Sequence, residues 1–291
     1  ENKRGNHMKI AISAESTVDL PGELLKEFDI RIVPFTLVMG ERTALDGQVK
    51  AQDLFDYVEK TGKLPKTSAV NEFQYEEHFK KLMDEGYEAI IHVSLSSKIS
   101  SACQNAVKAS EKFKNVYVID SLALSTSIAL QAIYARKLAD KGYDPKTIVE
   151  KVKARIDKLQ TSFVIETVNY LYKGGRCSAL AAFGANLLHL KPKIIMKDGS
   201  MTSTKKYRGS MLKVVEEYVK DTLKEANTPD KSLVFITYSS APEEVVESVK
   251  KILKDAGFKR IVPTQAGATI TCHCGPHTLG ILYYNDNDHD L

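Results

Sequence analysis

Four short segments of the chain concentrate hydroxyl side chains: residues 13–21, Lys66-Thr67-Ser68-Ala69-Val70-Asn71, Ser94-Leu95-Ser96-Ser97-Lys98-Ile99-Ser100-Ser101, and Asp120-Ser121. They are dense in Ser and Thr and poor in acids and histidine, so they offer neutral hydrogen-bond donors without a strong general base. Such a set suits holding an anion or a carbonyl group better than breaking a bond. Ser100 and Ser101 fall at the start of a helix expected over 98–112, where free backbone N–H groups and the positive end of the dipole favour an oxygen anion. Thr67 and Ser68 precede a helix that begins near Glu72 and are placed to face the same space. Taken singly, each hydroxyl also has a simpler role, capping a helix or closing a turn.

Cys272-His273-Cys274 raises the question of a metal, since thiolate and imidazole are the usual zinc ligands. In an extended segment side chains alternate, which puts the two thiols on one side and His273 on the other. Three such neighbours do not readily surround one ion, and no metal site is expected. Gly275-Pro276 then forces a turn that presents His273 beside a neighbouring loop, placed to meet an anionic group. Lys173-Gly174-Gly175-Arg176 lacks the spacing of a nucleotide-binding phosphate loop. The apolar stretch 179–190 reads as a helix, either ordinary core or the wall of an apolar cavity.

These residues need elements to carry them. A strand over 9–13 leads through a polar loop to a helix whose first turn holds Pro21, with Thr17 or Asp19 as its expected cap. An extended piece over 30–39, helices over 52–60, 72–85 and 98–112, strands over 88–93 and 116–119, and a long helix over 123–141 follow. Strands alternating with helices in this way form βαβ units around a parallel sheet, and ligands gather at the carboxyl ends of its strands. After a helix over 144–159 the statistics change. Asp198-Gly199 between strands over 193–197 and 200–205 is a hairpin signal, and amphipathic helices over 208–226 and 242–256 alternate with strands over 232–237, 260–265 and 279–284. The expected fold is α/β with two domains, an open parallel α/β/α sheet over 8–160 and an α/β domain with a mixed sheet over 161–285. Residues 1–7 read as a tag remnant and 286–291 as a polar tail.

The 291 residues carry 41 Lys+Arg against 37 Asp+Glu, a net charge of +4 spread along amphipathic helices, which points away from a nucleic-acid partner. The uncharged, largely apolar stretches 121–135 and 177–190 fall short of the roughly 20 apolar residues of a membrane span. Four cysteines in this length make no disulfide framework. With no secretory leader visible, a reducing cytoplasmic setting is expected.

Taken in order, Ser16-Thr17-Val18-Asp19-Leu20-Pro21, Thr67-Ser68, Ser96-Ser97-Lys98-Ile99-Ser100, Asp120-Ser121, Tyr172-Lys173-Gly174-Gly175-Arg176-Cys177-Ser178 and His273-Cys274-Gly275-Pro276 resemble the DegV family of bacterial proteins. The resemblance implies two α/β domains with a long-chain fatty acid such as palmitate buried between them. It implies a carrier rather than an enzyme, one that presents the carboxylate to a separate ATP-dependent fatty acid kinase subunit for acyl-phosphate formation. By the family's motifs, Thr67 and Ser100 hold the carboxylate with His273 close by and Ser68 and Ser101 beside them, and Arg208 matches a basic position suited to docking the kinase. Ala69-Val70-Asn71, Ser101-Ala102-Cys103, the segment 125–129 and His277 depart from the family pattern, which bears on tail length and saturation. No cofactor or metal is implied. The alternative from the residues is a hydrolase or acyltransferase using Cys272 or Cys103 with His273, for which no acid lies near His273 in sequence.

Overall fold

The computed structural model describes residues 7–287, and of residues 184–188 the backbone alone; residues 1–6 of the tag-like segment and 288–291 of the tail lie outside the described residues. The chain runs β1 (Ile10–Glu15), α1 (Gly22–Glu27), β2 (Ile30–Val33), β3 (Thr36–Met39), β4 (Arg42–Leu45), α2 (Ala51–Thr61), β5 (Lys66–Ser68), α3 (Glu72–Asp84), β6 (Ala89–Ser94), α4 (Ala102–Ser110), β7 (Val116–Asp120), α5 (Thr126–Asp140) and α6 (Pro145–Ala154). It continues with β8 (Leu159–Val164), α7 (Asn169–Lys173), 3₁₀ turns over Ser178–His189, β9 (Lys191–Lys197), β10 (Ser200–Tyr207), α8 (Met211–Glu225), β11 (Val234–Tyr238), α9 (Glu243–Asp255), β12 (Ile261–Gln265), α10 (Ala268–Cys274) and β13 (Leu279–Tyr284).

Four strands form a wholly parallel sheet in the order β2-β1-β6-β7. The short apolar runs of β1 and β6 are buried at every position, as expected of strands covered on both faces. From β8 onward all strands join one six-stranded sheet, β10-β9-β8-β13-β11-β12, in which β11 and β12 are parallel and the other neighbours antiparallel. The α/β class with a parallel and a mixed sheet is thus as expected, including the hairpin at Asp198-Gly199.

Helix α5 joins the two sheets. Its residues 126–135 are all buried, and it packs on β1 and β6 of the parallel sheet and on β8 and β13 of the mixed sheet. A helix that is apolar nearly all round must be enclosed. Its three polar exceptions are paired: Thr126 with Thr237 at 2.6 Å, Ser127 with Thr161, and Gln131 with the Ser121 carbonyl at 3.1 Å. On the far side of the mixed sheet α8 and α9 enclose a second core around Tyr218, Val249 and Ile281.

Several local expectations fail for physical reasons. Residues 30–39 are not one extended piece: Pro34 separates β2 from β3, which turns into the small antiparallel sheet β4-β3-β5. Neither Thr17 nor Asp19 caps α1, whose cap residue is Pro21 without a side-chain bond. The stretch 178–189 winds as 3₁₀ turns rather than an α-helix, with Gly184, a weak helix former, at its middle. Residues 268–274 are helical rather than extended, so the alternation assumed for Cys272, His273 and Cys274 does not hold.

Candidate functional site

Thr67 lies on β5, opposite Leu37 of β3, rather than in a loop. That pairing aims its hydroxyl at α10, where Oγ1 hydrogen-bonds to Nε2 of His273 at 2.9 Å. Residues 206 positions apart are thereby joined. Helical geometry sends the three residues of the Cys-His-Cys run to different places. Cys272 packs among Leu37, Met39 and Leu54, Cys274 joins the main core, and His273 faces Thr67. Among the described residues no group of three or more His, Cys, Asp or Glu could hold a metal ion.

Ser100 directly precedes Ser101, the cap residue of α4, and its Oγ accepts the backbone N–H of Ala102 at 3.1 Å. Ser101 is exposed and makes no cap bond. The loop that holds them is anchored at buried Glu15, which accepts the Ser94 hydroxyl at 2.7 Å and the Leu95 N–H at 3.0 Å and contacts His92 at 2.6 Å. Other hydroxyls of the four segments are engaged within the fold, Ser121 in a local turn and the rest with other segments. Ser16 accepts the Phe35 N–H, Ser96 bonds the Gly199 carbonyl, Ser97 bonds Asp120, and Ser121 accepts the Ala123 N–H.

Thr67, Ser68, Ser100, Ser101 and His273 line one cavity of about 280 Å³, together with Thr17 and apolar Phe35, Leu95, Ile99, Leu124, Leu171 and Ile270. All five site residues expected from the sequence are therefore brought together. The cavity has two neighbours. Through Thr67, Arg176 and His273 it meets an open cleft of about 750 Å³ that also carries Lys63, Lys66 and Lys173. Through Leu124, Ile270 and Cys274 it meets a small chamber of about 30 Å³. Of the chamber's five Ser and Thr residues, Ser125, Ser162, Thr237 and Thr278 are engaged by Asp19, Tyr218, Thr126 and the Cys274 carbonyl, and the Ser239 hydroxyl is buried without a partner among the described residues. The cavity thus lies between a basic cleft and a small chamber with both apolar and hydroxyl lining.

Burial, with Arg176 adding to it, pushes His273 down to about 4, so the ring is neutral at pH 7 and the positive charge at the mouth belongs to Arg176. Burial also pushes the thiols of Cys103 and Cys272 up to about 12, which leaves them unactivated as nucleophiles. Arg176 is a site residue that the sequence reading does not single out, although it stands in the family motif 172–178. Its signal was the paired glycine, whose Gly175 has φ +70° and turns the chain toward the cavity. Arg208 is exposed beyond the end of β10 and lines neither the cavity nor the cleft.

Two sheets that share one buried helix, beside a cavity lined by both hydroxyl and apolar side chains, define an α/β protein with a pocket of mixed character. The sequence profile of the DegV family, described as uncharacterised proteins, matches residues 9–286, and the chain belongs to that family. A fatty acid-binding protein of Thermotoga maritima is 28% identical over 281 residues, covering 94% of this chain and 96% of that protein. A solved structure of a Thermotoga maritima protein, described as revealing fatty acid binding function, is 27% identical with a TM-score of 0.82 and covers 96% of this chain and 99% of its own. A Thermus thermophilus DegV family structure, described by its fatty acid binding, has a TM-score of 0.88 at 24% identity, covers 95% and 99% of the two chains, and is a likeness of fold. No helix among the described residues is long and apolar enough to cross a membrane.

Proposed function

We propose that this protein binds a long-chain fatty acid, with its carboxylate held by Thr67 and Ser100 beside His273, Ser68 and Ser101, and presents it to an ATP-dependent fatty acid kinase in the cytoplasm for acyl-phosphate formation. The observation that carries the reading is a cavity that gathers Thr67, Ser68, Ser100, Ser101, His273 and Arg176 on one side and Leu124, Leu171 and Ile270 among its apolar lining. An alkyl tail has no polar atoms to satisfy, and each buried methylene contributes about 0.8 kcal/mol. A neutral His273 suits a hydrogen-bonding rather than a charge-pairing role, which leaves the carboxylate oxygens open toward the cleft. Lys63, Lys66, Lys173 and Arg176 around that cleft favour an anionic co-reactant.

Native mass spectrometry followed by solvent extraction tests the binding step. A stoichiometric long-chain fatty acid is the expected result, and an empty protein that takes up neither palmitate nor oleate would remove the reading. Partner docking is tested separately at Arg208, which lies outside the cavity. Arg208→Ala is expected to keep its fatty acid and to lose capture of the kinase subunit, and undiminished capture would show that Arg208 is an ordinary solvated side chain.

A further inference from the structure

Three segments far apart in sequence build one side of the cavity: the 3₁₀ turn after β1, which holds Thr17, the start of α5 at Leu124, and α10 with Ile270, His273 and Cys274. One carboxyl group ties them together. Asp19 lies two residues after Thr17, is 6% exposed and adopts φ 55°. Its Oδ1 accepts the Gly267 N–H at 2.8 Å, and its Oδ2 accepts the Ser125 hydroxyl at 2.6 Å. Gly267 stands directly before α10, and Ser125 follows Leu124 at the start of α5. We propose that Asp19 is the positioning residue of the site, holding the first turn of α10 against the start of α5 so that His273 meets Thr67 and the apolar wall at Leu124, Ile270 and Cys274 stays closed. The ligand in this inference rests on the fatty-acid reading above; the geometry does not.

Helix α10 has seven residues, too few to be stable alone, so tertiary contacts must place it. Asp46 accepts the next free N–H, from Ala268, at 3.0 Å, and Cys272 packs in the small core near Leu54. Neither of these contacts reaches α5. Asp19 alone among the described hydrogen bonds links α10 to α5 directly.

Charge separates this role from simple packing. The groups that face Asp19 are the Ser125 hydroxyl from α5, the Gly267 N–H and the Cys274 thiol from α10, and Asp46 from the turn after β4. Burial outweighs the two hydrogen bonds and pushes Asp19 up to about 8. The folded chain thus keeps a proton that the unfolded chain loses near the usual carboxylate value of about 3.9. The stability tied to that proton is complete below the unfolded value and is lost as pH rises through about 8. Ionised Asp19 also sets a negative charge behind the apolar wall at Leu124, Ile270 and Cys274, against which the alkyl tail must pack. Asn keeps the side chain neutral at every pH: its amide oxygen accepts from Gly267, and its amide nitrogen donates to Ser125 Oγ once that hydroxyl turns its own proton away. His273 near 4 and the thiols of Cys103 and Cys272 near 12 bracket the window.

The experiment measures palmitate affinity from pH 7 to about 9.5 for the wild type and Asp19→Asn. It also follows amide hydrogen exchange over 268–274 at pH 7 without added lipid, for both and for Asp19→Ala. Wild-type affinity is expected to fall roughly tenfold across the range, the equivalent of one unit of pKa linkage, while Asp19→Asn holds its value. Exchange in α10 is expected to quicken about tenfold in Asp19→Ala and to stay at the wild-type rate in Asp19→Asn. Matching pH profiles for wild type and Asp19→Asn, or unchanged exchange in Asp19→Ala, would overturn the proposal. Absence of palmitate binding at every pH would sink the fatty-acid reading instead, and the exchange rates would still decide the role of Asp19. Should Asp19→Ala not fold, Ser125→Ala cuts the link to α5 without touching the charge, and unchanged α10 exchange in it would count against the proposal in the same way.

Discussion

Thr67→Val is expected to weaken palmitate binding by about 10- to 100-fold, because a hydrogen bond to an ionised group contributes roughly 1.5–3 kcal/mol. Valine keeps the shape of threonine and the β5 pairing, so the cavity stays intact. The substitution also leaves Nε2 of His273 without its partner in a largely buried position, at a cost of about 1–3 kcal/mol to the fold. Both losses come from one hydroxyl, since Thr67 is the point at which α10 touches β5 through a side-chain hydrogen bond. Calorimetric titration with palmitate and a melting curve read the two separately. Wild-type affinity in Thr67→Val would show that the carboxylate is held elsewhere, and the Arg176 end of the cavity would be the place to look.

Arg155→Met is expected to destabilise the protein by about 3–5 kcal/mol, the usual consequence of stranding buried charges. Arg155 is 7% exposed, between the end of α6 and the start of β8. Its Nε lies 2.8 Å from Asp286 and its Nη2 3.2 Å from Asp230, and the guanidinium stacks 3.6 Å from the Tyr284 ring centre and 4.6 Å from that of Tyr134. Tyr134 comes from α5 and Tyr284 from β13, so this one cation joins the central helix to the mixed sheet on the side away from the ligand cavity. Methionine fills much of the same volume but leaves two carboxylates facing each other. Urea unfolding of the two proteins measures the loss. A change below about 1 kcal/mol would mean that water reaches the aspartates and screens them as at a surface. Fatty acid affinity at pH 7 is expected to change little, because Arg155 lines neither part of the ligand path.

The parts of the fold that were legible in the sequence are those whose pattern is local. Residues 121–135 carry no charge and proved to be a turn and a helix enclosed between two sheets, since an uncharged helix is stable only where water is absent. Asp198-Gly199 marked its hairpin because the turn needs positive φ at both positions, and both residues have it. The hydroxyl-rich, base-poor character of the loops was also legible, as was the identity of Thr67, Ser68, Ser100, Ser101 and His273 as candidates. Their convergence was an expectation of the motifs, but the means was not legible, because it depends on β5, a strand of three polar residues too short to show any periodicity. The pairing of β5 comes wholly from β3, and that of β3 from a break at Pro34.

Helix α10 shows the same limit. Its first N–H groups are satisfied by the carboxylates of Asp46 and, at the residue before it, Asp19, both from more than 200 residues away, and no local pattern announces such caps. Asp19 reads locally as a cap for α1, but its partners are distant. Composition, patterning and motif order thus determined the α/β class, the two kinds of sheet and the chemical character of the site. The tertiary structure alone decided which hydroxyls line the cavity and which are engaged by other segments, that Arg176 lines it with them, and that burial keeps His273 neutral. Those properties depend on burial and on contacts between distant segments, and neither is encoded in the spacing of neighbouring residues.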